Sequence, residues 1–157
     1  MFLRSFTVLL VAVIFSGCGP DPAKQAAEEK QEAKNIAAMQ IGLLVQALDA
    51  YKLSMGEYPS TKQGLQALRT RPADLPQTKR WDGPYLSSQG ALLPLKMDML
   101  TDPWGHPYRY RSPGTQKPAS FDVWSSGPDG VDGSEDDIGN WNTPGLAEML
   151  NPDARGQ

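Results

Sequence analysis

Proline and glycine are so unevenly placed in this chain that they split it into a helix-competent segment and a loop-rich remainder. Of its 14 Pro and 15 Gly, most fall after position 56. Proline removes a backbone donor and fixes φ, and glycine weakens any regular element it interrupts, so the C-terminal two-thirds can hold only short elements joined by turns. Before that point the pattern is helical. Ile36, Met39, Leu43, Ala47 and Ala50 or Tyr51 recur at helical spacing, with Leu44 and Leu48 widening the stripe. The spacing predicts a helix from about Ala26 to Leu53, ended by Gly56 as a left-handed C-terminal residue and by Pro59. Only its C-terminal half has apolar surface to bury. Gly19 to Lys34 is rich in Ala, Glu, Lys and Gln and carries no large apolar residue, which reads as a solvated helical stalk.

Beyond the helix, Ser60 or Thr61 is placed to cap a short second helix through Gly64, Leu65, Ala67 and Leu68. Pro72 to Pro94 has no sustained period and reads as an ordered loop anchored by Trp81, Tyr85 and Leu86. Pro107 to Arg111 and Ser120 to Trp124 alternate in the manner of strands joined by a turn around Pro113-Gly114, and Asp137 to Trp141 forms a candidate third strand. The segment from Pro144 onward reads as a frayed helical turn.

Ser126 to Trp141 holds five acidic residues and four glycines. Carboxylates this close repel one another, and a hard cation relieves that repulsion; carboxylate and carbonyl oxygens are the ligands Ca²⁺ prefers. The spacing is not that of an EF-hand, because Val131 and Asn140 stand where Asp and Glu are required. Two readings stay open on composition alone, a calcium loop and a solvated acidic turn.

The N-terminus carries Arg4, then a short apolar run from Phe6 to Phe15, then Ser16-Gly17-Cys18. This is the layout of an export signal, and the run is well below the ~20 residues that span a bilayer. Phe15-Ser16-Gly17-Cys18 resembles a bacterial lipobox, which implies cleavage before Cys18 and diacylation of its thiol. Cys18 is the only cysteine, so no internal disulfide exists. Gly19 replaces the aspartate that retains many lipoproteins in the inner membrane, which leans toward the outer one. The resulting organisation is a signal peptide over 1–17, a polar tether over 18–35, a head over 36–143 and a tail over 144–157. A formal net charge of −3 offers no basic field for nucleic acid.

Five ordered motifs then identify a family. They are Asp49-x-Tyr51-Lys52, Gly56-x-Tyr58-Pro59-Ser60-Thr61-x-Gln63-Gly64-Leu65-x-Ala67-Leu68, Trp81-x-Gly83-Pro84-Tyr85-Leu86, Asp102-Pro103-Trp104-Gly105-x-Pro107-Tyr108-x-Tyr110, and Phe121-Asp122-Val123-x-Ser125-x-Gly127-Pro128-Asp129-Gly130. Together they closely resemble the major pseudopilin, the G subunit, of type II secretion systems, over about Ile36 to Trp141. The resemblance implies an α+β fold, with a long N-terminal helix packed on a small antiparallel three-stranded sheet and a calcium loop before the last strand. Carried over residue by residue, it implies calcium carboxylates at Asp129, Asp136 and Asp137, with backbone and hydroxyl ligands at Ser126, Val131 and Ser134.

The departures are at the N-terminus. The family's leader has Gly-Phe at its cleavage site and a glutamate five residues into the mature chain, where this chain has Ser5-Phe6 and Leu10. The polar stalk also occupies the place of the family's apolar helix half. Three functions are therefore carried forward. The first is a non-catalytic, lipid-anchored, calcium-stabilised pseudopilin-like component that contacts other pseudopilins or secretion components. The second is an ordinary prepilin-processed major pseudopilin, and the third a calcium-dependent periplasmic recognition module outside secretion. Catalysis is not expected: His106 is the sole histidine and reads as a turn residue, no Gly-x-Ser-x-Gly motif is present, and a zinc site lacks ligands. No small-molecule substrate is expected either.

Overall fold

The computed structural model describes residues 21–86 and 98–143. Cys18, the signal segment and the 144–157 tail lie outside the described residues.

A single helix, α1, runs from Pro22 to Met55. It starts earlier than the periodicity predicts because Asp21-Pro22 is a cap: the Asp21 carboxylate accepts the Ala23 N–H at 2.9 Å, and Pro22 occupies the first turn, where its missing donor costs nothing. The helix ends as expected at Gly56, whose φ of 84° is left-handed and whose N–H reaches the Lys52 carbonyl at 2.7 Å. Residues 21–32 are all exposed, as a solvated stalk should be.

The buried face of α1 shares Leu44, Ala47, Leu48 and Tyr51 with the predicted stripe but is rotated from it at its N-terminal end. It also takes in Ala37, Gln40, Ile41, Gly42, Val45 and Met55, while Ile36, Met39 and Leu43 are half-buried on its flank and Ala50 is exposed. The reason is Gln40, a polar residue that periodicity assigns to the surface. It is fully buried, and its side-chain carbonyl accepts the Tyr108 hydroxyl at 2.7 Å. The amide oxygen is thus satisfied, while its Nε2 is buried without a partner, so the amide's burial is only half compensated.

The second helix is a 3-10 turn, Leu65–Leu68. Ser60 caps the turn before it through a reciprocal pair: Ser60 Oγ accepts the Gln63 N–H at 3.2 Å, and Gln63 Oε1 accepts the Ser60 N–H at 2.9 Å. Thr61 is no cap; its hydroxyl donates to the Ser112 carbonyl at 3.0 Å. The described part of the following loop is anchored as expected, with the Tyr85 and Leu86 N–H groups on the Leu68 carbonyl and the Trp81 indole on the Ala67 carbonyl.

Three antiparallel strands, β1 (Arg109–Arg111), β2 (Asp122–Ser125) and β3 (Ile138–Gly139), pair in the order β1-β2-β3. Each lies within or within one residue of its predicted range but is shorter. Arg109 faces Trp124, and Trp124 faces Gly139. The connection from β1 to β2 turns at Pro113-Gly114 and is closed by buried Asp122, whose carboxylate accepts the N–H groups of Thr115, Gln116 and Lys117 at 2.6, 2.9 and 3.0 Å. The inner face of the sheet, through Phe121 and Val123, joins Leu44, Leu48, Tyr51, Leu68 and Tyr108 in one core cluster. Burial pushes the Tyr108 phenol far above its ordinary range, so it remains a donor to Gln40.

Candidate metal centre

The acidic loop leaves β2 at Ser125 and re-enters the sheet at Ile138. Its first turn depends on Gly127, whose φ is +63° and whose added Cβ would stand 2.4 Å from Asp136 Oδ2. Only glycine allows that backbone and that approach together. Gly127→Ala is therefore expected to cost roughly 1–2 kcal/mol from the left-handed backbone alone, with the Asp136 overlap added. Urea unfolding measures it; an unchanged midpoint would show that the turn is not held in this form.

The predicted ligands fall in two groups. Asp129, Ser134 and Asp136 come together: the Ser134 hydroxyl lies on Asp136 Oδ1 and 3.4 Å from Asp129 Oδ1, and the Asp129 N–H points at Asp136 Oδ2. Asp129 Oδ1 also accepts the Val131 N–H at 2.8 Å, which leaves the Val131 side chain 57% exposed at the tip. Asp137 stands apart, with Oδ2 accepting the Gly133 N–H at 2.8 Å. The Ser126 side chain is buried and its hydroxyl is engaged elsewhere, donating to Asp132 Oδ1 at 2.5 Å. Among the described residues, no three His, Cys, Asp or Glu side chains are grouped closely enough to hold a metal by themselves. A cation here needs the hydroxyl and carbonyl oxygens as well.

One atom fits such a cation. Asp137 Oδ1 is buried and has no hydrogen-bond partner. Burial, and then the nearby carboxylates of Asp132, Asp136 and Asp129, push the Asp137 pKa up. A buried, unpaired acceptor among other negative charges is what a hard cation with oxygen ligands relieves. Asp136 is the opposite case, held low chiefly by the Ser134 hydroxyl.

Sequence reading missed four residues that shape this site. Asp132 anchors the loop to the sheet: it accepts from Ser126 and from the Trp124 indole at 3.3 Å, and pairs with Arg109 at 3.3 Å, so its carboxyl sits below the usual range. Asp102, Ser125 and His106 form a second anchor. Ser125 Oγ donates to Asp102 Oδ2 at 2.5 Å, and Asp102 Oδ1 accepts the N–H groups of Trp104 and His106 at 3.0 and 2.8 Å. The types match a hydrolase triad but the wiring does not. Asp102 takes the serine hydroxyl directly and meets His106 through its backbone N–H, the imidazole turns to the Gly127 carbonyl, and Ser125 is fully buried. The Asp-Pro-Trp-Gly spelling signals a turn at Asp102, but only packing reveals its partner 23 residues on.

The family model for "Type II secretion system (T2SS), protein G" matches residues 24–141. The chain is 40% identical over 138 residues to the type II secretion system core protein G of Pseudomonas aeruginosa, covering 85% of this chain and 89% of that one. It is 37% identical over 143 residues to the protein of the same description from Klebsiella michiganensis, covering 88% of this chain and 92% of that one. Among solved structures it is similar to the major pseudopilin from the type 2 secretion system of enterohaemorrhagic Escherichia coli, with a TM-score of 0.56 and 33% identity, covering 74% of this chain and 92% of that one.

Proposed function

The chain belongs to the protein G family of type II secretion systems, and we propose that it is a non-catalytic, calcium-stabilised, lipid-anchored component of the secretion machinery. It works in the bacterial cell envelope, facing the periplasm, through contacts with other pseudopilins or secretion components. The observation that carries the place in secretion is the family match across residues 24–141, which takes in the helix, the sheet and the acidic loop together. The fully buried Ser125, bonded directly to Asp102 while the His106 ring turns to a backbone carbonyl, supports a structural rather than a hydrolytic role. Deleting the gene is expected to block release of the exported proteins; secretion at the wild-type level overturns the proposal.

In this reading calcium is held by Asp129, Asp136 and Asp137, aided by Ser126, Val131 and Ser134. When bound there, the cation would supply charge neutralisation for these carboxylates. The chain's own residues do the positioning: Ser134 aligns Asp129 with Asp136, and Asp132 fixes the loop to Arg109 and Trp124.

The anchor rests on the Phe15-Ser16-Gly17-Cys18 spelling. Among the described residues no helix is long and apolar enough to cross a membrane, and the 21–32 stalk is polar and exposed. Two acyl chains on Cys18 would supply stable attachment where one chain is marginal. Cys18→Ser is expected to move most of the protein from the membrane to the soluble fraction or leave it unprocessed. Labelled palmitate on the substituted protein would sink the anchor. An ordinary prepilin-processed pseudopilin is equally consistent, favoured by the 89% of the Pseudomonas relative's length that is covered. The mass of the mature N-terminus separates them: diacylglyceryl-Cys18 supports the anchor, N-methyl-Phe6 the ordinary pseudopilin. A recognition module outside secretion finds no support among these relatives.

A further inference from the structure

We infer that His106 is a positioning residue for the acidic loop, setting its calcium affinity by holding the first turn from beneath; this rests on the calcium reading above. His106 Nδ1 lies 3.0 Å from the Gly127 carbonyl oxygen. A carbonyl only accepts, so Nδ1 carries the proton in this contact. The N–H of the same glycine donates to Ser125 Oγ at 3.1 Å. Both polar groups of Gly127 are thus gripped, and the buried Asp102 carboxylate braces the chain behind each grip: Oδ2 accepts the Ser125 hydroxyl, and Oδ1 accepts the backbone N–H of His106, fixing the main chain from which the ring projects.

The far edge of the ring meets Gly130, where an added Cβ would stand 3.0 Å from Nε2 and 3.1 Å from Cε1. The imidazole therefore spans the turn from Gly127 to Gly130. That turn's own closing bond, Gly130 N–H to the Gly127 carbonyl, is long at 3.4 Å. The ring's contact with the same carbonyl is the shorter of the two, at 3.0 Å. The turn in turn sets the separation of two proposed ligands, because Asp129 lies within it and Gly127 stands against Asp136. Groups that fix the backbone beneath metal ligands raise affinity by removing the cost of ordering the site.

The test is calcium titration of the full chain by calorimetry, comparing wild type, His106→Ala and His106→Asn. His106→Ala is expected to bind calcium roughly tenfold more weakly, the range of one lost outer-shell contact. His106→Asn is expected to recover most of the affinity, since its amide can donate to the same carbonyl. Their unfolding midpoints in excess chelator should stay close to one another, which a general structural role for the ring would not predict. As the sole histidine, His106 also gives an isolated nitrogen NMR signal, which in calcium should report a protonated Nδ1; this readout needs no variant to fold. Equal calcium affinity in wild type and His106→Ala, or a bare Nδ1 in the calcium form, overturns the inference and leaves calcium binding intact. A wild type that binds no calcium overturns both.

Discussion

Chelating calcium is expected to lower the stability of the folded chain by about 3 kcal/mol relative to a hundredfold excess over Kd, because a cation bound only to the folded form adds RT ln(1 + [L]/Kd). The physical origin is the electrostatics of Asp137, whose Oδ1 is buried without a partner and whose ionised form is opposed by burial and by three other carboxylates. The segment after Gly127 should become protease-sensitive on chelation while α1 stays largely formed. Asp136→Ala and Asp129→Ala should behave as the chelated protein does even with calcium present. Magnesium should substitute poorly, since a loop with carbonyl ligands suits a larger and more flexible coordination shell.

The effect has a pH signature. A carboxyl whose folded pKa is raised binds more protons in the folded chain than in the unfolded one, so in chelator its contribution improves as pH falls through the raised pKa toward 3.8. In calcium the same carboxylate must stay ionised, and protons compete with the metal. Asp132 and Asp136, both held below 3.8, remain charged through that window. The calcium and chelator melting curves should therefore converge on acidification above pH 3.8. Superimposable melts in calcium, magnesium and chelator at neutral pH would reduce the loop to a solvated turn.

The second large effect is in the core. Leu48 is fully buried in the cluster that joins α1 to Leu68 and Val123. Leu48→Ala removes one methine and two methyl carbons from a packed interior and is expected to cost about 2–5 kcal/mol, depending on how far the cavity collapses. Leu53, on the same helix but 91% exposed, provides the contrast: Leu53→Ala should stay within about 0.5 kcal/mol of wild type. Urea unfolding of the two variants decides it. Equal losses would mean that the buried face of α1 is not the one described.

That face also marks where reading the sequence stops. Period and punctuation are local: Gly56 closes α1 and Pro113-Gly114 turns the hairpin, because backbone conformation at those residues depends on their own side chains. The start of α1 was legible too, in Asp21-Pro22, though the apolar period drew attention past it. The direction in which a wide apolar stripe faces is not local. It turns on whether a polar member finds a buried donor, and Gln40 finds one 68 residues away in Tyr108.

The same division runs through the candidate site. A long helix, short strands among glycine and proline turns, and a loop carrying Asp129, Asp136 and Asp137 are written in the chain, since spacing and composition set the charge density and the backbone freedom of that loop. Which oxygens meet within it is a matter of packing. Ser126 turns to Asp132, Asp137 keeps an unpaired oxygen, and Asp102 reaches across 23 residues to Ser125 while His106 reaches across 21 to Gly127. Those pairings follow from the register of β2 between its neighbours and from burial that makes each unsatisfied polar atom costly. Both are properties of the packed molecule, and no short stretch of sequence encodes them.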